Sequence, residues 1–421
     1  MKISKIFLSF AILAAIALNM AGCATLSLSA QATDLMEGVV SRDISGRAAD
    51  DAFVLGAANF SLELFKKSIS AKQNSLVSPL SAMLALAMTA NGAGGETLAQ
   101  MERLLGGGIS LGELNEYLYA YAKALPNEKT SKLSIANSIW FRDDETLRLE
   151  PRFLQNNADY YGASAYKSVF NAQTAKDINN WVKSKTDKMI EKIVENISEN
   201  DMLYLINAVA FEAEWREIYK QDNIQMGDFT DIDAKTQNVD FMFSAEGRYI
   251  DDGKATGFTK PYAGSGYSFA ALLPNEGVDI LEYINSLSGA GFVEAIKNAE
   301  VVTVYAYMPK FEFDYDIVMN DALKALGMPE AFDKYNANFS NMADLSDEGD
   351  NIYIGEVRHK TYIAVNERGT RAGAATSVKM KAAGAMPSEP KTVRLDRPFV
   401  FAIIDNATNL PIFIGTLMSI G

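Results

Sequence analysis

Cysteine and histidine are almost missing from this chain of 421 residues: Cys23 and His359 are the only ones. A lone cysteine rules out an intrachain disulfide, so stability has to come from the core. A hydrophobic content of 48% is enough for one large domain or two ordinary ones. A lone histidine, with no Gly-x-Ser-x-Gly elbow or other nucleophile motif, gives no reason to expect catalysis, and no metal or cofactor is expected. Basic tracts are missing as well. The net charge is −14, and no run of Lys and Arg is long enough to follow a phosphate backbone, so nucleic acid is not an expected partner. Lys183, Lys185, Lys188 and Lys192 recur along an expected helix, but Asp187, Glu191 and Glu195 interleave with them, as on a solvated face. There is no proline-rich or serine-rich linker, no fixed-period repeat and, past the first fifty residues, no low-complexity block, so no internal domain boundary is evident.

What is present begins at the N-terminus. Lys2 and Lys5 precede an apolar run from Ile6 to Leu18, followed by Asn19-Met20-Ala21-Gly22-Cys23. The run is too short to span a bilayer and reads as a secretion signal. Small residues directly before a cysteine resemble a bacterial lipoprotein processing site, with Met20 in place of the usual Leu. An ordinary signal peptide with an incidental cysteine is the alternative. The expected division is a signal over 1–22, a polar tether over 23–50 and a domain over 51–421. The expected location is extracytoplasmic, lipid-anchored through Cys23 to a bacterial membrane.

Apolar residues at helical spacing predict helices over 59–69, 80–90, 97–105, 113–125, 151–161 and 175–194. Ser78-Pro79 supplies a cap and a first-turn proline for the second. Residues 133–141, 203–211, 267–273, 301–309 and 353–365 are β-rich, as are 399–404 and 412–417. Helices dominate early and strands late, which predicts an α+β architecture with large mixed sheets.

The most informative segment runs from Glu367 to Ala383. Along an extended chain, Thr370, Ala372, Ala374, Thr376, Val378, Met380 and Ala382 share one face, while Arg371, Lys379 and Lys381 fall on the other. A permanently solvated loop has no reason to sort its charges by parity, and a permanent central strand would not be so rich in Ala and Gly. An Ala-rich linker is the plain alternative; the pattern predicts a loop able to become a strand.

Three ordered motifs here carry a resemblance. Glu367-x-Gly369-Thr370-x, four small residues and Thr376 come first, then Arg397-Pro-Phe-Val-Phe401, then Leu410-Pro-Ile-Phe-Ile-Gly415. Asn74-x3-Ser78-Pro79-x-Ser81, Ile206-Asn207-Ala208-Val209-x-Phe211-x3-Trp215 and Met308-Pro309-Lys310-Phe311 extend it over nearly all of 52–420. Together they resemble the serpin family. Glu212, Glu214 and Arg371 depart from the family's usual residues, and the usual proline after the last strand is missing.

The resemblance implies large mixed β-sheets, a surrounding helix cluster and an exposed reactive loop, most simply in a monomer. It implies a suicide inhibitor of serine proteases, with cysteine proteases as a second class. The target would cleave the loop, remain bound as an acyl-enzyme and be carried across the molecule as the loop enters the sheet. The hinge would be Glu367, Gly369, Thr370, Ala372, Gly373, Ala374, Ala375 and Thr376. Counting from Glu367 puts the cleaved bond at Ala383-Gly384, which suits an elastase-like pocket, with Met380, Lys381 or Met386 as alternatives. Ser78, Ser81, Asn207 and His359 would form a polar latch where the sheet parts, and Glu367, Lys310 and Trp215 would meet where insertion starts. A non-inhibitory serpin acting as a binding or chaperone protein is the rival reading, and an unrelated solute-binding lipoprotein a more distant one.

Overall fold

The computed structural model describes residues 32–264, 266–345, 351–370 and 389–420. In chain order, strand β1 (Thr33–Asp34) and helix α1 (Asp51–Ser68) lead to β2 (Ser75–Val77) and to helices α2 (Pro79–Ala90), α3 (Gly95–Gly106) and α4 (Leu111–Ala124). Then come β3 (Ser131–Arg142), β4 (Leu147–Leu149), α5 (Pro151–Tyr161), β5 (Ser164–Ser168), α6 (Ala172–Lys185) and β6 (Leu203–Glu214). A β-rich stretch follows: β7 (Ile224–Thr230), β8 (Thr236–Glu246), β9 (Tyr249–Asp251), β10 (Ala255–Pro261) and β11 (Tyr267–Pro274). Short helices α7 (Ile280–Ser286), α8 (Gly289–Lys297) and α9 (Asn320–Ala325) alternate with β12 (Val304–Pro309) and β13 (Phe311–Val318). The chain closes with β14 (Ala343–Leu345), β15 (Glu356–Val365), β16 (Gly369–Thr370), β17 (Lys391–Arg394), β18 (Phe399–Asp405) and β19 (Pro411–Leu417).

The strands form a seven-stranded mixed sheet in the order β1-β5-β3-β6-β16-β15-β13, a six-stranded sheet β2-β19-β18-β11-β10-β9, a four-stranded sheet β17-β12-β8-β7 and the pair β14-β4. This is the α+β architecture read from the sequence. Strand β6 shows how the large sheet sits. Leu203, Leu205, Val209, Phe211 and Ala213 join the main core on one face, whereas Tyr204, Ile206 and Ala208 join a smaller core on the other, beneath Ile178 and Val182 of α6. Both faces are covered, so β6 is apolar without alternation. Each fully buried Leu, Ile or Phe contributes about 1.5–3 kcal/mol relative to exposure. The fully buried α2 lies on the main-core side with Ser78 just before its first turn.

Two expectations need correction. The helix expected over 175–194 ends at Lys185, because Asp187 and Lys188 take left-handed backbone angles. Ile190, Ile193 and Val194 then fold back onto the smaller core. Asn179 fixes that return: its Oδ1 accepts from the N–H groups of Ile193 and Val194, and its Nδ2 donates to Val194 O. Lys188 and Lys192 are therefore off the helix. The second correction concerns the tether. From Ala32 onward it is not free, since Thr33 and Asp34 pair with Lys167 and Tyr166 and extend the large sheet by one strand.

A buried carboxylate holds this segment down. Asp159 of α5 accepts the backbone N–H of Arg42 at 2.8 Å, its Nε at 2.9 Å and its Nη2 at 2.5 Å, and Gln155 Nε2 donates to it at 2.8 Å. Such charge-assisted contacts are the stronger kind of hydrogen bond. Asp159→Ala is expected to release residues 35–50 while leaving the sheets intact. Limited proteolysis should cut this segment earlier than in wild type, and equal cutting rates would show that β1 alone holds it.

Candidate functional site

The two strands on which the large sheet turns are β6 and β15. They pair directly and in parallel from Tyr204 opposite Glu356 to Val209 opposite Thr361. Above that stretch they separate, and Gly369 and Thr370 occupy the gap. Gly369 faces Glu214 and Thr370 faces Ala213 on one side, and Thr370 faces Val365 on the other, both antiparallel. The sheet is thus a closed seam with its upper end already held open.

In the middle of the seam Asn207 lies opposite His359, both fully buried. His359 Nε2 accepts the backbone N–H of Ser78 at 3.0 Å, which makes Nδ1 the protonated nitrogen, and Nδ1 donates to Asn207 Oδ1. Asn207 Nδ2 donates to Ser81 Oγ at 2.5 Å and to Asn137 Oδ1. Asn137 Nδ2 returns to the carbonyl oxygen of Ser81 at 3.2 Å. The four residues expected to form a latch therefore meet, with two amendments. Ser78 contributes its backbone, because its hydroxyl donates to Ile412 O at 2.8 Å and caps no helix. Asn137 of β3 is a fifth member that the sequence reading missed, although it interrupts an apolar strand just as Asn207 does.

Around the loop base, three successive carbonyls are held by two aromatic residues. Trp215 Nε1 donates to Asn366 O at 2.8 Å, Tyr219 N–H to Glu367 O at 2.9 Å and Trp215 N–H to Arg368 O at 2.8 Å. Tyr262 stacks on Trp215 with ring centroids 4.5 Å apart, and its hydroxyl lies 2.6 Å from Thr370 Oγ1. Gly369 is required here, since a Cβ on it would stand 2.0 Å from Ala213 O. Lys310 lies 3.1 Å from Glu367 and 3.3 Å from Asp240. The Glu367 carboxyl is held below its ordinary range, first by its own backbone N–H and also by Lys310. The pair is partly exposed, so its net worth is about 0–1 kcal/mol and it orients the loop base more than it stabilises the fold. Tyr219, Tyr262 and Asp240 carried no signal in the sequence.

Thr370 is where expectation and structure part. It was expected to begin the face still to enter; with a side-chain environment only 1% exposed, it is already inside. Ala372, Gly373, Ala374, Ala375, Thr376, Met380, Lys381, Ala383, Gly384, Met386 and Cys23 lie outside the described residues.

Burial holds the His359 imidazole far below its ordinary value, at about 3. A second proton would also point Nε2–H at the Ser78 N–H. The unfolded chain takes up that proton near pH 6.5. The neutral histidine's contribution is therefore complete above pH 6.5 and is lost progressively as the pH falls through 3. Urea titrations between pH 7.5 and 5 should show wild-type stability falling with acid, by at most about 1.4 kcal/mol per pH unit from this group. His359→Gln should start lower and lack that component. Parallel pH profiles for the two proteins would contradict the assignment.

Comparison with known proteins fits this geometry. The family profile described as Serpin (serine protease inhibitor) matches residues 56–420. An uncharacterised serpin-like protein of Thermococcus kodakarensis is 31% identical over 380 residues, covering 87% of this chain and 85% of its own length. Leukocyte elastase inhibitor A of Mus musculus is 28% identical, covering 87% and 99%. The crystal structure of tengpin, a thermophilic serpin, in its native state is 53% identical, covers 93% of this chain and all of its own, and superimposes with a TM-score of 0.88. The same protein in its latent state gives 0.78 over 91% of this chain. With the profile spanning most of the sequence and relatives covering nearly all of the domain, the chain belongs to the serpin family.

Proposed function

We propose that this protein is a suicide inhibitor of serine proteases that traps its target by inserting the cleaved loop between β6 and β15. The observation that carries the reading is the register at the top of the seam. Extending it one residue at a time from Thr370, opposite Ala213 and Val365, brings Ala372 opposite Phe211 and Ile363, and Thr376 opposite Asn207 and His359. Positions facing the main core then receive Ala372, Ala374, Thr376 and Val378, whereas Arg371, Lys379 and Lys381 turn to the opposite face. Thr376 would bring a hydroxyl to the buried polar cluster, so opening the seam need not orphan Asn207 and His359.

The chemistry belongs to the target. Its serine Oγ attacks the carbonyl carbon of Ala383, an ester forms, and the peptide bond to Gly384 breaks, with the new amine taking its proton from the protease's own acid. Hydrolysis of that ester needs the protease's base, water and oxyanion donors in a narrow geometry. Insertion threatens that geometry. In the extended register Met380 reaches Leu203, the first residue of β6, so Ala383 clears the far end of the strand. From Thr370 to Ala383 the inserted strand would span about 43 Å at roughly 3.3 Å per residue. An alanine at the cleaved bond fits an elastase-like target, a class named by the mouse relative.

Incubation with an elastase-like protease should yield a covalent complex that survives denaturant and a released fragment beginning at Gly384. Fragments beginning at Ala382 would instead move the bond to Lys381, and cleavage of wild type without complex would favour a non-inhibitory role. Thr376→Arg should turn the inhibitor into a substrate, because a guanidinium would arrive at the enclosed middle of the seam opposite the neutral Asn207 and His359, with no anionic partner there. The inhibitor consumed per enzyme trapped should rise at least about tenfold, the scale of an unpaired buried charge. The cut variant should also lack the gain in heat stability of cut wild type. Equal trapping by both proteins would sink the insertion reading.

We also propose anchoring through a lipid on Cys23, on the strength of the N-terminal motif. Cys23→Ser should move the protein from the membrane fraction to the soluble one; retention after detergent-free washing would contradict it.

A further inference from the structure

A buried ion pair lies beside the loop base without touching it. Lys260 Nζ on β10 is 2.8 Å from Glu246 Oε1 at the end of β8, and the two side chains are only 2% and 8% exposed. Burying such a pair is costly, and apolar residues of the same volume often serve stability as well or better. The surroundings indicate what the charge does instead. The ammonium sits 4.3 Å from the ring centre of Tyr219 and 5.4 Å from that of Trp215. The Glu246 oxygen that receives it is also 2.6 Å from Ser244 Oγ, which in turn is 3.3 Å from the Tyr219 hydroxyl. Burial weighs against the charge, but the facing Tyr219 and Glu246 outweigh it and keep Lys260 an ammonium.

The two rings that cage Lys260 belong to the two residues that hold the carbonyls of Asn366, Glu367 and Arg368. Two residues along the same chain, Tyr262 stacks on Trp215 and reaches Thr370. Between them, Arg216 N–H donates to Pro261 O at 3.1 Å. A cation between two ring faces has a directional preference for both, which an alkyl group filling the same space would not have.

We propose that Lys260 is a positioning residue for the loop base: closed by Glu246, its cation fixes the Trp215 and Tyr219 rings and thereby the three N–H donors from which residues 366–368 hang. In the insertion mechanism this makes a fixed pivot, about which the rest of the loop turns into the seam. The consequence for inhibition rests on the function proposed above; the positioning itself does not.

The test compares wild type with Lys260→Met, Lys260→Arg and the charge-free double variant Lys260→Met/Glu246→Gln. Hydrogen exchange at the amides of Trp215 and Tyr219 reads the pivot without any protease. Both proteins lacking the Lys260 cation should exchange about tenfold faster or more at these amides, the scale expected when a buried charge interaction is lost, while β18 and β19 stay protected as in wild type. Lys260→Arg should recover part of the protection. If Lys260→Met folds poorly, the double variant, which strands no charge, carries the comparison. Unchanged exchange at both amides in a folded charge-free variant overturns the proposal. On addition of an elastase-like protease, the share of covalent complex should fall in the same order as protection. A wild type that gives no complex removes the insertion reading, and the exchange result still decides the role of Lys260.

Discussion

The parallel ladder between β6 and β15 is the contact on which the rest of the structure depends. It closes the large sheet, and it is the less favourable of the two kinds of strand pairing. A strand entering from Thr370 would exchange this one ladder for two antiparallel ones, to β6 and to β15, as Gly369 and Thr370 already show in miniature. The closed sheet is thus held by local geometry while leaving a better-bonded arrangement within reach. Asn207 and His359 sit across the ladder because an apolar seam has no directional preference, whereas a saturated polar cluster has one arrangement and is costly to leave half-made.

The upper end is organised by different physics. Trp215, Tyr219 and Tyr262 form an aromatic platform that meets the loop base through Trp215 Nε1, the Trp215 and Tyr219 N–H groups and the Tyr262 hydroxyl, and Lys310 and Glu367 close it on the solvent side. A buried amide network controls the middle of the sheet and an aromatic platform controls its top. The two are independent in composition and joined by the backbone of β6.

Much of this was legible in the sequence, for identifiable reasons. The strands β6, β11, β18 and β19 are buried on both faces and read as near-continuous apolar runs, and helix α5 begins and ends where Pro151 and Gly162 say it should. The loop's parity was visible because all three charges between Thr370 and Ala382, Arg371, Lys379 and Lys381, fall on one side of the alternation. Strands β7, β8 and β13 were not visible. They lie at or near sheet margins, with many exposed positions, and periodicity fades where only one face meets the core. In the site, Asn207 and His359 stood out as polar residues in apolar runs. Asn137 sent the same signal more weakly, beside Ser134 and Ser138 in the same strand. Lys260 sent none: among Thr259, Pro261 and Tyr262 a lysine looks like a surface residue, and only the tertiary arrangement of β8 and β10 shows that it is enclosed.

The two seated residues Gly369 and Thr370 also bear on kinetics. Forming the first pairs of a strand is the entropically expensive part, because chain must be closed into a turn before any ladder rewards it. Here the Asn366 side chain has already made that turn, accepting from Arg368 N–H at 2.9 Å and Gly369 N–H at 3.3 Å, and Asn366 N–H donates to Gly369 O at 3.0 Å. In the proposed mechanism, insertion would then be the elongation of an existing nucleus. On that mechanism its rate would be set by how fast the seam unzips ahead of each arriving pair, and lengthening the loop beyond the proposed cleavage point would leave that rate unaltered.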